Sequence, residues 1–423
     1  MSSRTHPGRN ILHTTLLTLL SMGTLNAQPA AEDRAIGALV RNRCPGADIL
    51  NIERSGSGLI EAEYLCGTVV IEVGILNGQV IYEEREAFPD TATLERITRT
   101  TEKQYPGWLL DDIELVTTSD TSFLKVEVIL DGVEQNLFFT TTGRKYKPVA
   151  ILISDGWGLS ELRALEMPSL GYDLLAPDTV YELPDLLREV SGIALADERQ
   201  LLCVQDELGA VFSYDLVEGR ITDMIRFTDV GDFEDITVHN DRVTVLRSDG
   251  HLVELSLHHR KVLREQPPAL PSLNHEGLFT DARTGDRYVV SKEAPVTGPA
   301  DIRQVHRVLG DGTIEPYRTL SATSVAEALN RCQATLAQRG VRFHPSAAAL
   351  HPITGALYVL SASDRLLVVF DEGPPLVHPL PADIFYKPEG IAFRPNGDML
   401  ISNEGDKKGI VKASLCCLSY GRN

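Results

Sequence analysis

Acidic residues recur at matching places in one repeated pattern of this chain. In KPEGIAFRPNGDMLISNEG (387–405), Glu389 stands just before one short apolar run and Glu404 just after the next. Five units open in the same way, with VSGIAL, FEDITV, HEGLFT, PSAAAL and PEGIAF, aligned on Gly192, Asp235, Gly277, Ala347 and Gly390. Glu189 or Ser191, Glu234, Glu276, Ser346 and Glu389 flank the starts of the first runs. Asp206 with Glu207, Asp249, Glu293, Asp364 and Glu404 flank the ends of the second runs. Carboxylates gathered at one opening repel each other unless protons or a cation compensate. Ca²⁺ suits such a set because it is hard, takes about six to eight oxygens, and accepts carbonyls and water beside carboxylates. The residues expected to hold it are Asp206, Glu234, Glu276, Glu293, Glu389 and Glu404. His275, His344 and His351 lie beside strand starts, where one could serve as base to a metal-bound water. Each is more often a packed or exposed loop histidine. The chain contains no G-x-S-x-G, H-E-x-x-H, P-loop or G-x-G-x-x-G pattern.

The elements that would bring these acids together follow from the spacing. Successive aligned positions are 43, 42, 70 and 43 residues apart. A recurrence near this length, with three or four short apolar runs per unit, is the pattern of a β-propeller blade. In a blade the first strand lines the central channel and the second returns antiparallel beside it. The start of one and the end of the other therefore lie on the same face of the disc. The long gap holds a helix-period insertion, SVAEALNRCQATLAQRG. The last unit runs out one strand short, and TVYELPD, ahead of the first unit, can supply that strand and close the ring. Closure works at five blades, or at six if the insertion hides a degenerate one.

A different repeat fills residues 28–147. Each copy opens with a helix-period stretch that stops at Pro-Gly, first Pro45-Gly46 and then Pro106-Gly107, 61 residues on. Three alternating strand patterns follow each, which predicts an α+β domain. Residues 148–178 read as a partly packed connector with a short helix over 159–166, and 179–415 as the propeller. At the N-terminus, Arg4, Arg9, an apolar run over 11–25 and small Ala27 follow the plan of a secretory signal peptide spanning 1–27. The run is shorter than the ~18 residues a membrane span needs. An exported protein, periplasmic or secreted, with no membrane span after signal removal, is expected. Export permits disulfides. Cys44 and Cys66 form the best candidate pair, whereas Cys203 reads as a buried strand residue. The cysteine spacings match no zinc pattern. With 40 basic against 59 acidic residues and a formal charge of -19, nucleic acid and anionic membrane are disfavoured as partners.

Two resemblances add to this reading. LREVSGIAL, VQDELGAVFSYDL, GDFEDITV, RSDGHLVEL, NHEGLF, PSAAALHPITGALYVLSASDRLLVVFD and KPEGIAFRPNGDMLISNEG, in order over about 235 residues, are similar to the SdiA-regulated family of NHL-like β-propellers. That resemblance implies a five-bladed propeller, a bound calcium ion and no established reaction. FED departs from the acid-Gly pair of that family at Asp235. The N-terminal unit, with its helix, YPG and meander, resembles PepSY-like domains, although CPG in the first copy lacks the aromatic; it implies a binding or inhibitory module. Two functions are compatible with all this. One is an exported calcium-binding platform with a protein or small-molecule ligand at the propeller face. The other is a calcium-dependent hydrolase of a phosphoester, lactone or ester using a metal-bound water.

Overall fold

The structure, a computed structural model, describes residues 27–54, 60–76, 78–130, 133–146, 157–165, 167–267, 270–332, 341–406 and 411–421. The signal-peptide reading falls on residues outside that set except for Ala27. No helix among the described residues is long and apolar enough to cross a membrane.

The N-terminal part is one seven-stranded antiparallel sheet in chain order: β1 (Asp48–Arg54), β2 (Ile60–Cys66), β3 (Val69–Leu76), β4 (Gln79–Glu86), β5 (Leu109–Thr118), β6 (Ser122–Leu130) and β7 (Val133–Thr140). Helices α1 (Ala27–Arg43) and α2 (Thr91–Gln104) precede β1 and β5. The first copy has four strands where three were expected. The extra strand, β4, pairs with β5 from Tyr82↔Thr118 to Glu86↔Glu114 and so fuses the two copies into one sheet. Both Pro-Gly stops behave alike, with Gly46 at φ 85 and Gly107 at φ 86, a left-handed turn that an L side chain resists. Ala47 N donates to Cys44 O and Trp108 N to Tyr105 O, so position 44 in the first copy matches 105 in the second. The first copy ties that position to Cys66 by a disulfide. The second packs Tyr105 edge-on against Trp108. Both helices cover one face of the sheet: Ile36 and Val40 meet Ala62, Tyr64 and Val73, and Ile97 meets Ile113, Leu124 and Val126.

The rest is a propeller of five four-stranded sheets. Blade 1 is β9 (Val190–Leu195), β10 (Gln200–Gln205), β11 (Leu208–Asp215) and β12 (Arg220–Val230). Blade 2 is β13 (Phe233–His239), β14 (Arg242–Arg247), β15 (Leu252–Ser256) and β16 (Lys261–Gln266). Blade 3 is β17 (His275–Thr280), β18 (Arg287–Ser291), β19 (Ile302–Val308) and β20 (Ile314–Ser321). Blade 4 is β21 (Ala347–Leu350), β22 (Leu357–Ser361), β23 (Leu366–Phe370) and β24 (Leu376–Pro379). Blade 5 takes β25 (Pro388–Phe393), β26 (Met399–Asn403) and β27 (Ser414–Leu418), and its outer strand is β8 (Thr179–Glu182), paired Ser414↔Glu182. The expected closing strand is therefore the one used, and the ring closes at five. The described part of the insertion is the helix α4 (Ala322–Cys332); residues 333–340 lie outside the described residues.

The blades stack because their inner strands are apolar on both faces. Val204, Phe212, Val245 and Leu400 are fully buried, and burying each such side chain contributes about 1.5–3 kcal/mol. Cys203 lies in this wall at zero exposure. Glycine at the aligned position lets first strands converge on the channel: a Cβ on Gly192 would lie 2.5 Å from Asp235 Cα in the next blade. The connector packs on blades 3 to 5 through Trp157 and Leu162 and through Tyr172 and Leu174. Its helix α3 runs Leu159–Arg163.

Candidate metal centre

Four of the five blade starts are bulged, those of blades 1, 2, 3 and 5. In blade 2 the ladder passes from Phe233↔Arg247 to Asp235↔Leu246 and skips Glu234. Glu276 is skipped between His275↔Ser291 and Gly277↔Val290, Glu389 between Pro388↔Asn403 and Gly390↔Ser402, and Ser191 in blade 1. A bulged residue leaves the ladder and its side chain is re-aimed. Where the residue before the aligned position is serine it bonds the next blade: Ser191 Oγ donates to Phe233 O at 2.6 Å and, in blade 4, Ser346 Oγ to Pro388 O at 3.0 Å. Where it is glutamate it reaches the other acids at the mouth.

The second-strand ends come to the same mouth. Asp206 N donates to Glu189 O (3.1 Å), Ser248 N to Asp232 O (2.9 Å), Lys292 N to Asn274 O (3.1 Å) and Glu404 N to Lys387 O (2.9 Å). These four bonds define one register around the ring. Asp206, Ser248, Lys292 and Glu404 are equivalent, and so are Glu189, Asp232, Asn274 and Lys387.

This register sorts the expected ligands. Asp206, Glu234, Glu276, Glu389 and Glu404 all lie at the mouth. Glu293 does not join them: it is exposed, one residue past the equivalent position, which Lys292 fills. A slip of one residue in extended backbone turns a side chain to the other side. Asp249 is displaced in the same way and pairs with Arg247. Asp364 is spent on the backbone, accepting from Arg342 N and Phe343 N. Asp235, the departure from glycine, is buried in the wall and accepts from Ile236 N and from Leu278 N of blade 3. Burial pushes its carboxyl well above the usual range.

Two lysines enter the acid ring. Lys292 Nζ bonds Glu276. Lys387 Nζ lies 2.5 Å from Glu404 Oε2 and 3.2 Å from Glu389 Oε1. Burial raises Glu276 and Glu404 despite these ammonium groups, and the Glu389 carboxylate raises both further. The other arc differs. Oxygens of Asp206, Asp232 and Glu234 all lie within 4.8 Å of one another. Among the described residues, none of the three has a Lys, Arg or His within ion-pair distance; the nearby Glu189 has Arg188 at 3.8 Å. Burial, then Glu276, Asp232 and Asp206, push Glu234 up to about 10. Burial, then the hydrogen bond and charge of Asp232, push Asp206 up to about 7. Asp232 lies outside the expected ligands; of the residues three ahead of the aligned position, only Glu189 is read as flanking a first run. A polar residue at that place in every unit (Glu189, Asp232, Asn274, His344, Lys387) is the signal that points to it.

Of the histidines, His275 is fully buried in blade 3 and burial lowers it to about 4. His351 is buried under the connector, its Nε2 2.8 Å from Tyr172 Oη, and its Nδ1 accepts from Ile353 N and Thr354 N. Neither is placed to act as a base at the mouth. His344 is half-buried at the mouth register, and burial, Arg303 and Arg342 hold it below its ordinary value.

No family model matches the chain, and no curated protein matches it. Solved structures do. Virginiamycin B lyase from Staphylococcus aureus is similar at 16% identity over 53% of this chain and 67% of its own, with a TM-score of 0.33. A luciferin-regenerating enzyme (12%, 58% and 95%, TM-score 0.40) and the glutaminyl cyclase of Myxococcus xanthus (13%, 58% and 95%, TM-score 0.40) are also similar. Likenesses this distant carry no argument about chemistry.

Proposed function

We propose that the protein is an exported calcium-dependent binding protein whose propeller mouth carries one ion on Asp206, Asp232 and Glu234. The observation that carries this reading is the oxygen cluster of those three side chains, close together and without a basic partner among the described residues. Three carboxylates in a partly buried mouth are unfavourable as bare anions. A hard divalent cation resolves the repulsion and takes the rest of its shell from water or main-chain oxygen. The sequence resemblance to the SdiA-regulated propellers supports calcium as that ion, and the Cys44–Cys66 disulfide supports an oxidising compartment. His275 and His351 are packed in the protein body, which leaves His344 as the one of the three candidate bases at the mouth register.

Titration calorimetry on the EDTA-treated protein tests it. Saturable heat is expected with calcium, weakened roughly 100-fold or more in Glu234→Gln, because a direct ligand counts for at least as much as an outer-shell partner. No heat at millimolar calcium would end the proposal. EDTA-sensitive turnover of phosphodiester, phytate or lactone substrates would move the assignment to a hydrolase.

A further inference from the structure

Segments flanking the two strands that close the ring, β8 and β27, meet at one buried histidine. His351 opens the turn between β21 and β22 and is 1% exposed. Its Nδ1 accepts from Ile353 N at 3.3 Å and from Thr354 N at 3.1 Å. That nitrogen therefore carries no proton, and the ring hydrogen sits on Nε2. Nε2 donates to Tyr172 Oη at 2.8 Å, and Tyr172 Oη donates onward to Gly397 O in blade 5. Tyr420 closes the other side, its ring centroid 4.7 Å from that of His351 and 5.3 Å from that of Tyr172. Tyr172 lies in the connector seven residues ahead of β8, and Tyr420 lies two residues past β27. Further bonds join the same two segments. Gly421 N donates to Gly171 O, Asp178 N to Cys417 O, and Ser419 N to Asp178 Oδ2.

A second proton has no place on this ring. On Nδ1 it would point at two N–H groups that already donate there, and both bonds would be lost. The phenols of Tyr172, Tyr358 and Tyr420 and the ring of Phe393 surround the imidazole. The nearby Asp398 accepts from Tyr420 N and Asn396 Nδ2. Among the described residues no carboxylate lies at ion-pair distance of His351, and an uncompensated buried charge is costly. We propose that His351 is an acid-operated latch on ring closure. Neutral, it ties the connector and the C-terminal segment to blades 4 and 5; protonated, it releases both and weakens the pairing of β8 with β27. Burial holds the folded imidazole below its ordinary value of about 6.5. Its share of the stability is therefore full above that pH and is lost as pH falls below it, by up to about tenfold in the opening equilibrium per unit. The latch lies at the turn after a first strand, on the face of the disc opposite the mouth, and does not depend on the ion there.

Hydrogen exchange of the full chain, read by mass spectrometry in EDTA and corrected for intrinsic amide rates, tests this. Between pH 7.5 and pH 5, protection of peptides covering 171–182 and 414–421 should fall roughly tenfold or more. Blade 1 contains no histidine, and β11 there should hold its protection. In His351→Asn the side-chain oxygen can still accept from the turn but cannot titrate, so the two segments should lose their pH response. Tyr172→Phe removes the Nε2 partner and should lower their protection at pH 7.5 while keeping the response; it serves if the first variant fails to fold. Unchanged protection of the two segments at pH 5, an equal fall in β11, or a response that survives in His351→Asn would overturn the proposal.

Discussion

The two arcs of the propeller mouth share a backbone and differ in what neutralises it. Blades 2, 3 and 5 each present a bulged glutamate, Glu234, Glu276 and Glu389. In blade 3 the second strand ends on Lys292, and in blade 5 Lys387 reaches two acids at once. These acids carry their counter-ion in the chain. In blade 2 the position equivalent to Lys292 is Ser248, and Asp206 of blade 1 and Asp232 close on Glu234 with no ammonium among them. Lysines at two register positions, those of Lys292 and Lys387, therefore separate the self-neutralised acids from three acids with no ammonium partner at ion-pair distance among the described residues.

The largest effect should come from breaking the self-neutralised arc. Lys292→Met leaves Glu276 buried without its partner, and removing one member of a buried pair costs about 3 kcal/mol or more. Urea unfolding should show that loss, and it should grow with pH. Glu276 is raised in the folded protein, so the stability it carries is present below the unfolded carboxyl value and is lost as pH rises through the folded one.

Converting the open arc into the closed kind is the next test. Ser248→Lys places an ammonium where blade 3 has one and should weaken calcium by roughly 100-fold, about 2.7 kcal/mol, with little change in calcium-free stability. Calorimetry that found unaltered calcium affinity would show that the arcs differ for another reason.

Proton competition should distinguish the arcs more gently. Asp206 at about 7 and Glu234 at about 10 hold protons that the ion must displace. Calcium affinity should therefore rise from pH 6 to pH 8, by up to about tenfold per unit for each proton released. Without calcium, the stability tied to these two raised groups is full below about pH 4 and is lost as pH passes about 7 and then about 10. The calcium-free protein should thus melt lower at pH 9 than at pH 6, and calcium should narrow the gap. Lys387→Met should also destabilise, because Glu389 and Glu404 are both largely buried and lose the ammonium they share. The lysine side chain is itself 48% exposed, so solvent offsets part of the loss and the melting temperature should fall less than in Lys292→Met.

Most of the scaffold was legible in the chain. Recurrence of the apolar runs marks strands because alternate burial leaves a period, and the missing last strand with TVYELPD waiting upstream marks closure. Pro45-Gly46 and Pro106-Gly107 marked both helix stops. The fusion of the two copies through β4 was not legible, because edge pairing depends on backbone that carries no side-chain signature. Within the site, Glu389 and Glu404 were correctly brought to one mouth, yet Lys387, in the same quoted segment, already answers them. Glu293 lies one residue past the register position that Lys292 fills, and in extended backbone one residue turns the side chain to the other side. Asp232 escaped notice because, of the residues three ahead of the aligned position, only Glu189 was read as flanking a first run.

Strand β8 has a further consequence, for the order in which the chain folds. It is the first propeller strand to be synthesised, and its partner, β27, is nearly the last. Four blades can form from neighbouring strands as they emerge, but the fifth must wait for β27 and then close a pairing that spans the whole propeller, from Glu182 to Ser414. A chain cut before Ser414 would not make a smaller ring. It would hold β8 and the edge of β26 unpaired, two open ladders free to join another molecule.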